Sequence, residues 1–369
     1  MLSIEQNSTT VMPASFERAG CKHSGPYYMK SEEIIGFEAL YESMEKCKRG
    51  VMWKNSVAHY VLNSLEETIK LSDQLKGGTY KSRKVNKFTI YAPKRRDIIS
   101  VSYRDRVYQR SLNDNGIYAG MTRSFIEDNQ ACQIGKGTDR AMDRLEEFLH
   151  RGFRRYGRTF YVLQVDIHGY YRHMVHQTTE NMFRKNLDPE IADRAIRVMR
   201  GQYKEERGYN PGSQMIQIAG ISYLNPLDHF IKERLRIKLY LRYMDDFVMM
   251  HPSAEYLEEC KSKIESRLAE IGLSFNPKKT RIFPVTEGVT FLGFRFALTE
   301  TGKVLRLISS QNVKRERAKL RKMVAKCKRG EITRDKVNQC FKAWKAHADR
   351  GSTYKVQQRM NEYYRSLWR

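Results

Sequence analysis

Two adjacent carboxylates, Asp245 and Asp246, stand between two apolar runs of the sequence, residues 239–241 and 247–250. The flanking residues predict two strands joined by a tight turn at Met244 and Asp245. Adjacent carboxylates repel each other and their flanks would bury them, so a divalent cation bound by these hard oxygen ligands would relieve both costs. A solvated hairpin turn with acidic ends explains the same residues, and the Y-M-D-D tetrapeptide alone does not separate the two interpretations.

A third carboxylate, Asp166, follows the apolar, β-branched run 161–165, which predicts a buried strand. Gly169 would turn the chain shortly afterwards. If this strand pairs beside the 239–250 hairpin, three carboxylates converge, enough to hold two Mg²⁺ ions about 3.5–4 Å apart, with Mn²⁺ as a substitute. Such ions activate a primer 3′-hydroxyl and clamp the phosphate during an in-line displacement. This chemistry needs no side-chain nucleophile, so the lack of a Ser-His-Asp or Cys-His arrangement is consistent with it.

The net charge of +25 indicates a polyanionic partner. Nucleic acid is the simplest one, because each neutralised phosphate releases a counterion and adds affinity. An anionic membrane surface is the alternative. The basic residues are spread through the whole chain rather than clustered, which favours nucleic acid over a membrane.

The six cysteines include no C-x-x-C pair, which argues against a zinc ribbon and a disulfide framework. The N-terminus lacks the pattern of a signal peptide, and no apolar run is long enough to span a bilayer. We therefore expect a cytoplasmic protein with no membrane partner.

The elements that must position these carboxylates follow from hydrophobic periodicity. Residues 1–30 predict a tail or cap, residues 31–300 a mixed domain, and residues 301–369 a separate basic helical domain. Within the mixed domain the predicted elements are, in order, helices over 31–74, strands at 87–91 and 97–102, helices at 106–112 and 138–150, the strand 161–165, a helix from 187 through 199, one long helix over 213–235, strands within 239–250, a helix over 253–271, and strands near 281–284 and 289–296.

The order of the motifs resembles that of prokaryotic reverse transcriptases over about residues 80–300. The matching segments are Asp166–Tyr171 for the first catalytic motif, Gly212–Gln214 with the helix after it for the second, Tyr243–Asp246 for the Y-x-D-D box, Asn276–Thr280 for the lysine motif, Phe291–Phe294 for the primer grip, Lys94 and Arg96 for the basic finger positions, and Gln130–Gly137 for a segment common in bacterial members. A single tetrapeptide is weak support, whereas five motifs in the family's order are specific.

The resemblance implies an α+β, right-hand polymerase, with fingers and palm in residues 31–300 and a helical thumb in residues 301–369. The implied activity is RNA-directed DNA polymerisation, a nucleotidyl transfer that makes cDNA. The implied partners are a template or noncoding RNA, a DNA primer and product, and deoxynucleotides. An accessory protein and a homo-oligomer both stay open.

Individual roles carry over from the motifs. Asp166, Asp245 and Asp246 would bind the metal ions together with the backbone carbonyl of Ile167. Lys279, or its neighbour Lys278, would protonate the leaving pyrophosphate.

The nucleotide site would hold the triphosphate with Lys94 and Arg96 and the nucleotide with Ser213 and Gln214. Tyr171 lies where the family places its sugar gate, although core packing also explains an aromatic residue there. Phe291, Leu292, Gly293 and Phe294 would contact the primer.

The second motif departs from the family pattern. The usual frame is Q-G-x-x-x-S-P, and here residues 208–214 read G-Y-N-P-G-S-Q. Gln214 in place of Pro resembles the enzymes of diversity-generating retroelements and some phage-defence enzymes, whereas Tyr209 in place of Gly resembles neither. Because this segment packs against the templating base and the incoming nucleotide, the change puts fidelity and template use in question.

Two other functions fit the same fold. One is an RNA-binding maturase or chaperone, against which the intact carboxylate set argues, because buried acids are costly without a metal. The other is a polymerase that extends DNA without a template or with low fidelity. The biological setting also stays open between a diversity-generating retroelement and phage defence with a dedicated noncoding RNA.

Overall fold

A computed structural model describes residues 30–91 and 95–369 of the chain. The predicted tail, apart from residue 30, and the predicted triphosphate ligand Lys94 lie outside the described residues. The described part is a mixture of helices and three separate antiparallel sheets. The predicted α+β class is therefore confirmed.

The helices of the described residues are α1 (Ser31–Ile34), α2 (Phe37–Cys47), α3 (Asn55–Leu62), α4 (Ser64–Lys76), α5 (Tyr103–Leu112), α6 (Tyr118–Thr122), α7 (Thr138–Tyr156), α8 (Tyr170–His173), α9 (His176–Asn186), α10 (Pro189–Gln202), α11 (Gln214–Tyr223), α12 (Asn225–His229), α13 (Ala254–Glu270), α14 (Ser310–Lys328), α15 (Arg334–Ala348) and α16 (Tyr354–Ser366). The strands are β1 (Asn86–Ile90), β2 (Arg96–Ser100), β3 (Tyr161–Val165), β4 (Leu239–Tyr243), β5 (Asp246–His251), β6 (Arg281–Pro284), β7 (Val289–Phe291), β8 (Phe294–Leu298) and β9 (Val304–Ile308).

The central sheet has the strand order β4-β5-β3-β6, and all of its pairs are antiparallel. Both faces of its middle strands, β3 and β5, are largely buried, which is why these two strands are mostly apolar rather than alternating. Along β5, Phe247 and Met249 face one hydrophobic core, while Val248 and Met250 face another. The predicted pairing of the 161–165 strand beside the 239–250 hairpin is confirmed.

Each face of the central sheet packs against a different part of the chain. The first core contains the N-terminal helices together with α9, α10, α11 and α13. The second core contains α7, the three-stranded sheet β7-β8-β9 and the C-terminal helices α14–α16. The sheet that carries the carboxylates is therefore held between two cores and has little freedom to shift.

The predicted long helix over 213–235 is wrong as a single element. It is divided into α11, α12 and a π-helical turn, Phe230–Arg234. Pro226 lies in the first turn of α12, where its missing N–H costs nothing, whereas inside a continuous helix it would remove a hydrogen bond and clash with the preceding turn.

The strand β9 was not predicted from the sequence. It pairs with β8 from Phe294↔Ile308 to Leu298↔Val304, on either side of the tight turn near Gly302. This pairing crosses the predicted domain boundary at residue 301 and joins residues 304–308 to the sheet before it. The division into two domains stays a prediction.

No helix within residues 30–91 and 95–369 combines the length and apolarity required to cross a bilayer.

Candidate active site

The two adjacent carboxylates lie at the tip of a tight hairpin. Tyr243 of β4 pairs with Asp246 of β5, which leaves Met244 and Asp245 as the turn residues. Met244 adopts a left-handed backbone with φ of 58°. On the neighbouring strand, Val165 pairs with Phe247, so Asp166, the next residue, comes opposite Asp246. The sheet register thus brings the three predicted carboxylates together.

The titration behaviour of the carboxylates reflects this convergence. Burial, followed by the negative charges of Asp245 and Asp166, raises the pKa of Asp246 to about 7. Burial also raises the pKa of Asp245, with a further contribution from Asp166. Burial and neighbouring negative charge thus disfavour the ionised forms of Asp245 and Asp246. Together with Asp166 they form a donor set suited to a divalent cation, whose charge would favour the carboxylate forms.

A lysine ammonium supplies the positive charge beside these carboxylates. Lys279 Nζ lies 2.5 Å from Asp166 Oδ1, and Asn276 Nδ2 donates to Asp166 Oδ2 at 2.8 Å. Across the described ranges, no group of three or more His, Cys, Asp or Glu side chains has an arrangement that could hold a metal ion. The types of donor therefore fit Mg²⁺, while both oxygens of Asp166 are engaged by other side chains.

Asn276 was not assigned a role from the sequence, although it lies within the N-P-K-K-T motif. Its backbone N–H donates to the carbonyl of Asp166 at 2.8 Å, and its side chain binds the carboxylate of the same residue. The preceding residue, Phe275, forms an isolated antiparallel β-bridge with Ile167. The carbonyl of Ile167 was predicted to complete the coordination shell of a metal ion. The segment after α13 thus fixes Asp166 from two directions.

The two lysines of this motif differ in their environment. The ammonium of Lys279 contacts Asp166, and the Asp166 carboxylate raises the pKa of this lysine. Lys278 uses its backbone N–H to bind Asn276 Oδ1, and no contact of its side chain appears among the described residues. Of the two lysines, it is therefore Lys279 whose ammonium lies beside the carboxylates.

A buried ion pair supports the hairpin turn and was also missed. Arg242 and Asp228 both have fully buried side chains, and Arg242 Nη2 and Nε donate to the two carboxylate oxygens at 2.5 and 2.7 Å. Arg242 Nη1 donates to the carbonyl of Met244 at 2.9 Å. The sequence contained one signal for this ion pair, the arginine inside the otherwise uncharged run L-Y-L-R-Y. An arginine buried in such a strand needs several hydrogen-bond acceptors.

Tyr171, the predicted sugar gate, packs with its ring against Gly220 of α11. Its hydroxyl is buried and has no hydrogen-bond partner among the described residues. Burial is the main reason that its pKa is raised, with Cys132 and Asp245 as neighbours. The side chain therefore borders the carboxylate hairpin and also touches the second motif.

Tyr209, the residue of the second motif that differs from the family pattern, is buried and holds this segment in place. Its ring stacks on His176 with centroids 4.3 Å apart and meets Tyr203 edge-on. Its backbone N–H donates to the carbonyl of Tyr171 at 2.7 Å. Next to it, Asn210 Nδ2 donates to the carbonyl of Asp97 in β2 at 2.7 Å.

The other predicted nucleotide ligands lie around this segment. Ser213 caps α11 by accepting from the N–H of Ile216 at 3.4 Å. Gln214 is the first residue of that helix and is exposed, and Arg96 is exposed at the start of β2. The segment 209–214 thus connects the β1–β2 hairpin with Tyr171.

The predicted primer-grip residues form the β7–β8 turn. Leu292 and Gly293 both have positive φ, 47° and 88°, as the favoured two-residue hairpin turns require. Phe291 and Phe294 are buried on either side of the turn. Gln164 of β3 donates to the carbonyl of Thr290 at 2.7 Å, which ties this hairpin to the strand that ends before Asp166.

The chain that forms this site matches a protein-family model. The model is described as "Reverse transcriptase (RNA-dependent DNA polymerase)", and it matches residues 94–296, more than half of the chain. The chain belongs to the reverse transcriptase family. The α+β arrangement of this reverse transcriptase domain is that of a right-hand polymerase, as the motifs implied.

Two named relatives match a short segment of the chain. Protein P of duck hepatitis B virus strain Germany/DHBV-3 is 43% identical over 53 residues, which is 14% of this chain and 7% of the viral protein. Protein P of strain China is 42% identical over 53 residues, with the same coverage. This chain therefore covers less than a tenth of the curated relatives it matches.

Two solved structures are similar at 12% identity. One is telomerase from Candida albicans in complex with a TWJ fragment of telomeric RNA, with a TM-score of 0.45 over 70% of this chain and 55% of that chain. The other is apo telomerase from Candida tropicalis, with a TM-score of 0.46 over 67% and 53% of the two chains. The chain spans about half the length of these proteins.

Proposed function

We propose that this protein is an RNA-directed DNA polymerase that extends a DNA primer on an RNA template. The observation that carries the proposal is the convergence of Asp166, Asp245 and Asp246 at one edge of the central sheet. Membership of the reverse transcriptase family supports it, because the converging residues are those of the first catalytic motif and the Y-x-D-D box.

The three carboxylates and the carbonyl of Ile167 would hold two Mg²⁺ ions, which supply activation of the primer hydroxyl and neutralisation of the transferred phosphate. Asn276 keeps the Asp166 carboxylate in place through its side-chain amide. Lys279 carries a proton on the amine nearest the carboxylates and would deliver it to the leaving pyrophosphate. Arg242 stabilises the turn that carries Asp245.

Substrates would be held by the surrounding elements. The exposed Arg96, with Lys94, would bind the triphosphate, since guanidinium groups match phosphate oxygens in pairs. Ser213 and Gln214 would face the nucleotide, Tyr171 would exclude a ribose 2′-hydroxyl, and the 291–294 turn would contact the primer. In this proposal residues 31–300 form fingers and palm, and residues 301–369 the thumb.

The proposed template is a dedicated RNA of a diversity-generating retroelement or of a phage-defence system. The pair Ser213-Gln214 favours the first setting. Tyr209 is buried, and its backbone N–H donates a hydrogen bond to the carbonyl of Tyr171. This contact is an argument for a nucleotide site that differs from the usual family pattern. DNA synthesis with little or no template is the second candidate, because this same segment would contact the templating base.

Primer extension by the purified full chain tests the proposal. The reaction contains Mg²⁺ or Mn²⁺ and all four deoxynucleotides, with and without an RNA template, and an Asp245→Ala variant serves as the control. Sequenced products that copy the template and disappear with Asp245→Ala would support RNA-directed synthesis. Product that forms without template would support the second candidate, and the absence of product with every template and ion would contradict both.

A further inference from the structure

A basic cavity opens between α10 and the segment 78–82, which follows α4. Its volume of about 320 Å³ falls in the range of small-ligand pockets, about 300–1,000 Å³. Lys81, Arg194, Arg197 and Lys204 line it, and none of the described residues at its wall is acidic. Four cations thus share one concave surface without a carboxylate among them.

One face of α10 builds most of this surface. Arg194, Arg197 and Gly201 recur at spacings of three and four residues, so they lie on the same side of the helix. Lys204 follows the end of α10 at Gln202 and lines the cavity from the extended segment after it. Gly201 keeps the floor of the cavity open. A Cβ atom at this position would lie 3.5 Å from Ser82 Oγ, an ordinary contact.

The cations of the cavity lack the ion pairs that neutralise the neighbouring basic residues. Arg184 pairs with Asp193, and Arg200 pairs with Glu180. Arg194 instead donates to Ser31 Oγ at 2.6 Å.

Two of these cations lie beside Tyr108, a buried tyrosine of α5 that also lines the cavity. Burial raises the pKa of Tyr108, and the neighbouring Arg194 and Arg197 oppose that rise. Within residues 30–91 and 95–369, none of the four cavity cations forms an ion pair. Their mutual repulsion would be relieved by a bound anion.

We infer that this cavity is a second nucleic-acid site, which binds the backbone phosphates of a single-stranded RNA outside the catalytic cleft. Arginine forks match phosphate oxygens in pairs, and lysines add point charges. A cavity admits a splayed single strand better than a rigid duplex. The inference rests on the proposed function, since an enzyme that works with a dedicated RNA needs to hold that RNA away from the primer end.

The cavity is distinct from the carboxylate hairpin. None of the described residues that line the cavity belongs to the hairpin, and the side chains that bind the Asp166 carboxylate, Asn276 and Lys279, do not line it either. Changes to the cavity therefore leave the catalytic machinery intact.

Arg197→Ala with Lys204→Ala in the full chain tests the site. Both residues are exposed, so the variant is expected to fold. Fluorescence anisotropy with a labelled oligouridine RNA is measured across a range of KCl concentrations. Loss of two phosphate contacts lowers the slope of log affinity against log salt by about 1.4, since each contact on a single strand contributes about 0.7. The matched control, Lys185→Ala with Arg234→Ala, also removes one exposed lysine and one exposed arginine and should keep the wild-type slope.

A second pair of variants separates the effect of charge from the effect of added volume without removing any of the four cations. Gly201→Glu places a carboxylate on the open floor and should weaken RNA binding at least as much as the double variant. Gly201→Ala fills the same position without charge and should bind RNA as the wild type does. Both substitutions sit in a helix at a position where a Cβ atom would make only an ordinary contact with Ser82, and thermal unfolding checks that both variants fold.

Primer extension on a short, preannealed template–primer separates this inference from the proposed function. We expect all cavity variants to extend it at the wild-type rate. Wild-type RNA affinity and salt slope in both Arg197→Ala/Lys204→Ala and Gly201→Glu would overturn the cavity assignment while leaving the polymerase proposal standing. If the proposed polymerase function is wrong, the wild-type protein itself will not extend the primer.

Binding to phosphatidylserine vesicles is measured in parallel. If the cavity variants lose vesicle binding but bind RNA as the wild type does, the assignment is also overturned, in favour of a lipid phosphate.

Discussion

Gly220 provides the space that the Tyr171 ring occupies. A Cβ atom at position 220 would lie 2.6 Å from Tyr171 Oη and 2.9 Å from its Cζ. The carbonyl of the same glycine accepts a hydrogen bond from the Tyr170 hydroxyl. One residue of α11 thus sets the position of two consecutive tyrosines beside the carboxylate hairpin.

Gly220→Ala should therefore displace the Tyr171 ring from α11. Overpacking of this kind costs about 1–3 kcal/mol, partly offset by the higher helix propensity of alanine, about 1 kcal/mol. We expect kcat/KM for deoxynucleotides to fall about tenfold, equivalent to ~1.4 kcal/mol. Steady-state primer extension measures this, and a variant with wild-type kinetics would show that the ring has room to move.

Substitutions of Tyr171 itself test the sugar gate. Tyr171→Ala should increase ribonucleotide incorporation, because nothing then crowds the 2′-hydroxyl. Tyr171→Phe should retain discrimination, and its stability should be unchanged or slightly higher, because the hydroxyl that it removes is buried without a partner. Competition between matched ribo- and deoxynucleotides gives the ratio. Equal discrimination by the alanine variant and the wild type would assign Tyr171 to core packing alone.

Asn276→Ala should reduce the maximal rate and raise the Mg²⁺ concentration needed for activity. The substitution removes the amide that donates to Asp166 Oδ2, and loss of a residue that orients a metal ligand typically costs about 10–100-fold in affinity or activity. A Mg²⁺ titration of primer extension measures both effects. Asn276→Asp adds a fourth negative charge at the same place, and if it were as active as the wild type, this positioning role would be excluded.

The two lysines of the N-P-K-K-T motif should differ in effect. Lys279→Ala removes the ammonium beside Asp166 and should lower kcat by about 10²-fold or more, in the range of lost general-acid catalysis. Lys278→Ala is the matched control and should stay within about twofold of the wild type, since an exposed side chain of this kind contributes little. Single-turnover extension over a range of pH distinguishes the chemical step from product release. The reverse ranking of the two variants would contradict the assignment.

Arg242→Met should destabilise the fold, because it leaves the Asp228 carboxylate buried without its ion-pair partner, with only the Tyr240 hydroxyl still donating to it. Breaking a buried pair of this type costs about 3–5 kcal/mol. The exposed pair Lys263–Glu259 provides the comparison, and Lys263→Met should leave the free energy of unfolding close to that of the wild type, because an exposed ion pair contributes little. Urea unfolding measures both free energies of unfolding. Similar free energies of unfolding for the two variants would contradict this prediction. They would mean that the Asp228 carboxylate becomes hydrated or protonated at little cost once Arg242 is removed.

The predicted elements that were confirmed are those encoded by short-range patterns. Period and composition located the strand before Asp166 and the hairpin around Asp245, because a strand buried on both faces is largely apolar. The Asp188 cap and Pro189 likewise mark the start of α10 through local backbone chemistry. The order of motifs identified the family from residue types alone.

Other features depend on contacts between residues far apart in the chain, and local patterns do not encode them. Asn276 binds Asp166 across more than a hundred residues, and Gly220 makes room for Tyr171 across a gap of 49 positions. The anchor role of Tyr209, which a motif comparison treats only as an anomaly, comes from its stacking on His176. Residue type and spacing specify which groups are available for chemistry. Long-range packing specifies which of them meet, because burial, hydrogen-bond pairing and steric fit are properties of the assembled core.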